Sequence, residues 1–308
     1  MSYITYENIR YKILNDHEIE LVKYIDKNDI DILAIPDKIM IETKEYTVTK
    51  ICNKAFENCT FLTNISIPST VKEIESTAFS YNKYLEYFEY ENIYYLGNES
   101  NPYLVLMKVG NKLLSSYLIH PDTKLIHANA FNSCKNLENI SLLDNIIYIG
   151  NSAFRGCSKL KEIILPSKLN KLSSYAFSKC NDLEQIVFND KLQFIGEDIF
   201  KESLKLQYYI ENNGKYLGSK DNPFYTLIDV IDKKVDEFII NPNTVHIYSE
   251  SLMSCKNIKE ITIPKNVKSI GKRAFAMCDL LENVYILNEN TFIDESVFLL
   301  SPKVKQKN

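Results

Sequence analysis

The sequence predicts a β-rich repeat solenoid of about ten stacked coils, wound as a right-handed superhelix around a parallel strand ladder. Three observations predict this fold class. An Ala-Phe dipeptide recurs at 23-residue intervals along much of the chain. Apolar residues recur in register on both sides of this dipeptide, and the two places where the interval is longer resemble each other. Repetition at a fixed period of this length is the sequence signature of a solenoid.

The first 45 residues precede the repeat and predict a cap. Apolar and polar residues alternate over residues 9–14 and 18–25, on either side of Asn15-Asp16. This pattern predicts a β-hairpin, and a further strand is expected to end at Ile35-Pro36. An open solenoid end would expose a cross-section of the core. We therefore interpret residues 1–45 as a β-hairpin cap and residues 46–308 as one continuous solenoid.

Each coil places its aromatic residue inside a fixed pattern. An apolar pair lies eight and five residues before it, as Val71 and Ile74 do before Phe79, and a cysteine often lies three residues after it. A segment L-x-x-I-x-I follows, often ending in Pro. Its first, fourth and sixth residues are expected to point into the coil, and the residues on either side of the fourth outward. Pro has no N–H to donate to a ladder and ends the strand.

These segments define the predicted ladder. After Phe298 the pattern stops in the middle of a coil, and a polar tail is expected over residues 303–308. The segments are spaced 23 or 29 residues apart and start at Leu62, Leu85, Leu114, Leu137, Leu160, Leu183, Leu206, Val235, Ile258 and Leu281.

Two coils of 29 residues interrupt the regular spacing. Both contain Tyr-Leu-Gly followed by Asn-Pro and an aromatic residue, at residues 95–103 and 216–224. In each, an apolar run and a polar turn follow. The pattern predicts a pair of strands joined by a tight turn and set into the solenoid.

The pattern V-x-x-I-x-x-x-A-F-x-x-C-x-x-L-x-x-I-x-I-P resembles the BspA-like leucine-rich repeat family, as do the two long coils. The resemblance covers about residues 46–300. It implies a leucine-rich-repeat superhelix and a surface-associated or secreted protein that acts in adhesion or as a surface antigen. The implied partner is a host or extracellular matrix protein. The family has no catalytic residues to transfer to this chain.

Composition excludes several other classes of function. The formal net charge is −4, from 36 basic and 40 acidic residues, which gives no electrostatic case for binding nucleic acid or an anionic membrane surface. No apolar stretch is long enough to span a membrane. No signal peptide is visible, so a cytoplasmic location is the alternative to the cell surface. The sequence contains no catalytic motif, and we expect no cofactor.

The cysteines and histidines are interpreted as structural. Six of the seven cysteines share one repeat position, which predicts a column of small buried thiols rather than a metal or redox site. The spacing C-x-x-C is absent. His127 and His246 each follow a long coil and precede an aromatic position. We interpret them as a repeated loop residue rather than as metal ligands, because no acidic or thiol partner recurs beside them.

The outward positions of the L-x-x-I-x-I segments are the candidate partner-binding face. They include an apolar run from Ile164 to Ile239, and exposed apolar patches are typical of interaction surfaces. The alternative is that a flanking loop covers this run. The candidates are Tyr87, Glu162, Ile164, Gln185, Val187, Tyr208, Ile210, Glu260, Thr262 and Tyr285. The sequence thus predicts a non-catalytic protein-binding solenoid, with an intracellular scaffold as the alternative to an adhesin.

Overall fold

The structure is a computed structural model that describes residues 3–26 and 30–307. Over these residues it is a β-solenoid of about 11 turns without a helix, which confirms the predicted fold class. The remaining residues of the predicted cap and tail, 1–2, 27–29 and 308, lie outside this description. In chain order, the strands are β1 (Tyr3–Tyr6), β2 (Ile9–Ile13), β3 (Glu18–Tyr24), β4 (Ile32–Ala34), β5 (Lys38–Ile41), β6 (Lys44–Ile51), β7 (Asn64–Ser66), β8 (Glu73–Ile74), β9 (Phe88–Tyr90), β10 (Ile93–Asn98), β11 (Asn101–Val109), β12 (Leu125–Ile126), β13 (Tyr148–Ile149), β14 (Glu162–Ile164), β15 (Lys171–Leu172), β16 (Gln185–Val187), β17 (Phe194–Ile195), β18 (Tyr209–Glu211), β19 (Gly214–Leu217), β20 (Thr226–Val230), β21 (His246–Ile247), β22 (Glu260–Ile263), β23 (Ser269–Ile270), β24 (Asn283–Ile286), β25 (Phe292–Ile293) and β26 (Lys305–Lys307).

The N-terminal hairpin is confirmed as β2 and β3, which pair antiparallel. The Asn15 side chain closes its turn, because Oδ1 accepts hydrogen bonds from the backbone N–H groups of His17 at 2.9 Å and Glu18 at 3.0 Å. The sheet continues into the repeat, since β6 pairs with both β3 and β8. The cap therefore covers the first coil by continuing its hydrogen bonding. The division of the chain at residue 45 stays a prediction.

The longer parallel ladder of the solenoid is formed by short strands that each end at the second residue of the apolar pair, five residues before the aromatic position. Strands β12, β13, β15 and β17 pair in this order beside β11, and β21, β23 and β25 do so beside β20. Each is only two residues long, and its second side chain packs into the core, as Ile149 and Leu172 do. The inward Ile and Leu side chains and the backbone bonds between coils therefore hold this strip together.

The prediction of one ten-strand ladder along the L-x-x-I-x-I segments is wrong. Among these ten segments, only β14 with β16 and β22 with β24 pair as neighbouring strands. Strand β7 pairs instead with β4 and with β10 of the first long coil, and β24 also pairs with β26. Residues 114–119, 137–142 and 235–240 form no strand. A solenoid that rotates slightly at every repeat brings one strip of its coils closer together than the opposite strip. Continuous bonding along the first strip therefore leaves the second partly open.

The Ala-Phe segments form tight turns. The residues two before and two after the aromatic ring adopt a left-handed backbone conformation in most coils, as Tyr175 and Lys179 do with φ of 59° and 60°. Each turn bonds to the same turn in the next coil. Inside the turns the aromatic rings stack, with centroids 4.9 Å apart for Phe131 and Phe154 and 5.2 Å apart for Phe154 and Phe177.

The predicted column of buried thiols is confirmed. All six cysteines at this repeat position are buried and free. The Cys180 thiol donates to the carbonyl oxygen of Phe154 at 3.2 Å, and in the next coil the Ser203 hydroxyl donates to that of Phe177 at 2.8 Å. Burial raises the pKa of Cys180 to about 12. The column therefore ties several neighbouring coils together through either a thiol or a hydroxyl, as Cys157 also does with Phe131 and Ser301 with Phe275.

The two long coils confirm the predicted strand pairs and add a third strand to each. Strands β9, β10 and β11 form an antiparallel set, and β18, β19 and β20 form its counterpart. Their first turns, Glu91-Asn92 and Asn212-Asn213, have positive φ at both residues. Two such residues match the twist of a two-residue hairpin. In each long coil, one L-x-x-I-x-I segment therefore pairs antiparallel with the insert and not with the segments of neighbouring coils.

The hydrophobic core consists of three clusters that meet at the long coils. Contacts across these junctions differ in chemistry. At the first, Lys171 Nζ lies 2.7 Å from Glu73 Oε1. At the second, the corresponding residues are Phe292 and Phe194, whose ring centroids are 5.3 Å apart. The same architectural position is therefore held by an ion pair in one case and by an aromatic pair in the other.

The expectation that the repeat stops after Phe298 is wrong, although residues 303–308 are mostly polar. Strand β26 pairs parallel with β24, and the preceding Val304 packs against the third core cluster. Val304 lies one 23-residue step after Leu281, so the repeat continues where the sequence looks polar.

Candidate functional site

The structure divides the candidate binding face by exposure. Ile164 and Ile210 are 61% and 60% exposed, which is unusual for large aliphatic side chains. The other exposed candidates are Glu162, Gln185, Glu260 and Thr262. The partly buried candidates are Tyr87, Val187, Tyr208 and Tyr285.

The strand pairing decides which candidates meet. Strands β14 and β16 lie in register and place Ile164 opposite Val187. Strands β22 and β24 likewise place Thr262 opposite Tyr285. Ile210 instead lies in β18, which pairs antiparallel with β19 because the long coil folds back on itself. The expected apolar run is therefore divided, although Ile164, Ile210 and Ile239 are each exposed.

The two tyrosines of the long coils are partly covered by their own inserts. Lys108 Nζ lies 4.1 Å from the ring centroid of Tyr87, and Lys215 Nζ lies 3.9 Å from that of Tyr208. Burial raises the pKa of both phenols and lowers the pKa of Lys108. An ammonium group over a ring face is an attractive cation–π contact. Sequence reasoning missed these lysines, because it did not pair the insert strands with the residues before them.

A groove of about 1550 Å³ opens on the L-x-x-I-x-I strip near the end of the described chain. Its apolar lining includes Ile239 and Leu287, which are 74% and 60% exposed. Its acidic lining is Asp236, Glu237, Glu260 and Glu282, and Lys259 and Lys265 are the basic residues that line it. Of this lining, Glu260 and Thr262 were among the ten sequence candidates, and Ile239 ended the predicted apolar run. Asp236 and Glu282 share one repeat position, directly after the start of each segment, and that recurrence was the available signal.

The interpretation of His127 and His246 as a repeated loop residue is wrong. Both imidazoles are buried, and they occupy different positions of the repeat. His246 lies in β21, where its Nδ1 is 2.7 Å from Ser269 Oγ. His127 lies beside the ring of Phe79, with centroids 6.4 Å apart. Both are core residues at the places where the long coils join the regular repeat.

We expect these two histidines to make folding sensitive to acid. Burial lowers the pKa of His127 to about 4, and burial with the nearby charge of Lys268 lowers that of His246 to about 3. Below the unfolded value of about 6.5, the unfolded chain binds protons that the folded chain does not. The contribution of each histidine to stability is therefore full well above about pH 6.5 and is lost progressively as the pH falls through and below this value. Each histidine should cost about 2 kcal/mol between pH 6.5 and 5.

The measurement is urea denaturation at several pH values. Each histidine is replaced by the residue that occupies its position in the other long-coil unit. Leu125 corresponds to His246 in the other long-coil unit, and Tyr248 corresponds to His127. In His246→Leu and in His127→Tyr, the free energy of unfolding should fall by about 2 kcal/mol less between pH 6.5 and 5 than it does in the wild-type protein. An unchanged slope in both variants would show that the imidazoles do not carry the effect.

Two other kinds of site are not found in the described part of the chain. Among residues 3–26 and 30–307, no group of three or more His, Cys, Asp or Glu side chains could hold a metal ion. Those residues also contain no helix of sufficient length and apolar character to span a bilayer.

A known family of repeat proteins has a sequence pattern that matches the repeat of this chain. The sequence pattern of the BspA type leucine rich repeat region matches the chain in six copies, over residues 37–101, 110–225 and 232–306. No curated protein matches the chain.

Several solved structures resemble the fold. A leucine rich cell surface protein from Faecalibacterium prausnitzii is 22% identical, with 99% of this chain and 88% of that chain covered and a TM-score of 0.34. A leucine-rich repeat protein from Bacteroides ovatus is 23% identical, with 99% and 100% covered and a TM-score of 0.34. The pneumococcal vaccine antigen PcpA is 20% identical, with 100% and 82% covered and a TM-score of 0.31. At these identities the likeness concerns the fold alone.

Proposed function

Because the chain belongs to the BspA type leucine-rich repeat family, we propose that it is a non-catalytic protein-binding solenoid whose partner contacts the L-x-x-I-x-I strip. The observation that carries the proposal is the exposure of large aliphatic side chains in several coils of this strip. Ile164, Ile210 and Ile239 are each at least 60% exposed. Apolar surface that recurs along one strip of a solenoid is the kind of extended surface with which repeat proteins bind partners.

The proposed biological role is that of a surface adhesin or antigen that binds a host or extracellular matrix protein. The resemblance of the repeat pattern to a family of surface-associated and secreted proteins supports this role. The alternative is an intracellular scaffold that uses the same strip. Proteolysis of intact cells separates the two, because only a surface protein is cleaved without lysis. Protection of the chain until lysis would favour the scaffold.

The binding proposal is tested with substitutions on the strip. Immobilised protein is incubated with extracts of host cells and matrix, and the affinity of the captured partner is measured for Ile164→Ser and Ile210→Ser. At least one variant should bind about tenfold more weakly. Exposed positions of this kind should change the free energy of unfolding by only about 0.5 kcal/mol.

The matched control is Leu204→Ser. Leu204 is 83% exposed but lies in a turn segment before β18, outside the strip. The Leu204→Ser substitution removes an apolar group of similar size, and it should leave partner binding unchanged. If Ile164→Ser and Ile210→Ser bind like the control while remaining folded, the strip is not the binding surface.

A further inference from the structure

The groove near the end of the described chain coincides with an interruption of the strand ladder. Some adjacent coils on this strip are joined by backbone hydrogen bonds, such as Glu184 N–H to the Lys161 carbonyl and Glu282 N–H to that of Lys259, both at 2.8 Å. Others, such as residues 137–142 and 160–165, are not joined in this way in the described chain. Among the described residues, no backbone hydrogen bond joins residues 235–240 to residues 258–263. The ladder is therefore open between these two coils.

The opening is confined to one side of the solenoid. On the opposite strip the same two coils remain bonded, since Lys268 N–H donates to the Val245 carbonyl at 2.8 Å. On the open side, β22 keeps β24 as its parallel partner and has no strand on its other edge. A strand edge with free backbone groups is a template for pairing with another extended chain.

The charge of the groove indicates what kind of chain fits. Four carboxylates line it, against the two lysines. In the described part of the chain, none of Asp236, Glu237, Glu260 and Glu282 takes part in an ion pair. Carboxylates on other surfaces of the molecule do form them, such as Asp182 with Lys205 and Glu250 with Arg273. The groove therefore presents unneutralised negative charge beside the exposed aliphatic side chains of Ile239 and Leu287.

We propose that this groove binds an extended segment of a partner polypeptide that carries basic and aliphatic residues on one face. The segment adds to the open edge of β22, its basic side chains face the carboxylates, and its aliphatic side chains contact Ile239 and Leu287. Glu237, Ile239 and Glu260 all lie at outward positions, and side chains on one face of a strand are two residues apart, so the basic and aliphatic residues should fall at every second position of the segment. This inference rests on the proposed function and specifies the partner's chemistry at one part of the strip.

The test uses the full chain and synthetic peptides as probes. A capped peptide of about ten residues that carries Lys and Val in turn at every second position, with Ser between them (the Lys-Val peptide), is compared by calorimetry with the counterpart that carries Glu in place of Lys (the Glu-Val peptide). The Lys-Val peptide should bind and the Glu-Val peptide should not. The double variant Glu237→Lys/Glu260→Lys should weaken binding by at least about tenfold, and added salt should weaken binding to the wild-type protein.

Two controls separate the groove from general charge effects. Glu42→Lys/Glu99→Lys changes the net charge by the same amount at exposed turns that lie in no ion pair of the described chain. Glu289→Lys alters an exposed acidic residue in the turn after β24, which does not line the groove. Both should leave the affinity within about twofold of wild type. Equal weakening by either control, or equal binding of the acidic peptide, overturns the groove assignment.

Failure of this inference is distinguishable from failure of the proposed function. If Ile164→Ser or Ile210→Ser weakens capture of the partner but the Lys-Val peptide does not bind, the strip is the interface and the groove assignment is wrong. If the peptide result holds but neither strip variant affects the captured partner, the broader proposal fails instead.

Discussion

Replacing Phe154 or Phe177 with alanine should cost about 3–5 kcal/mol of folding free energy, the largest effect we expect from a single side chain. Both rings are fully buried and stack on a ring in the coil before and in the coil after. Each coil alone is too small to bury its apolar face, so the stacking between coils stabilises the fold. Removing a central ring therefore leaves a cavity and breaks contacts to two neighbouring coils.

The comparison variant is Phe298→Ala, measured in the same urea titrations. The Phe298 ring is only partly buried, and the stacking contact described for it is with Phe275, at 5.8 Å. We expect a loss under about 2 kcal/mol, because less apolar area leaves water and one stacking contact is lost. Equal losses at all three positions would contradict a stacked column.

Gly97→Ala and Gly218→Ala should each destabilise the fold by about 3 kcal/mol, at the upper end of overpacking effects. A Cβ atom at Gly97 would lie 2.0 Å from the carbonyl oxygen of Asn101, and one at Gly218 would lie 2.1 Å from that of Asn222. In both cases the obstructing atom belongs to the backbone of the insert hairpin. The clash is therefore relieved only if the hairpin opens, which would also remove its contacts with the core.

Gly156→Ala is the matched control for these two variants. Gly156 has a left-handed backbone with φ of +75°, but the nearest atom to an added Cβ is 3.6 Å away. Alanine there should cost about 1 kcal/mol through backbone strain alone. If Gly97→Ala and Gly218→Ala are no more destabilising than this control, the hairpins do not require the close backbone approach.

The sequence by itself determined the fold class, because a solenoid repeats its local pattern in the primary structure. The positions of Phe154, Cys180 and Ile163 in successive coils could be read directly from the period. The N-terminal hairpin and the two insert hairpins were also predictable. Their turns carry Asn, Asp and Gly, whose conformational preferences are local properties of the chain.

Only the tertiary structure decided which strip carries the longer strand ladder. It also decided where the ladder of the L-x-x-I-x-I strip is interrupted. Both strips have apolar side chains at strand spacing, and hydrogen bonding between coils depends on the rotation of each coil against the next. The same reason explains why the open edge of β22 meets the acidic groove, since distances between coils are not encoded by a repeat pattern. Tyr87 and Tyr208 lie under Lys108 and Lys215 because each long coil folds back on itself, and the repeat pattern did not reveal that pairing.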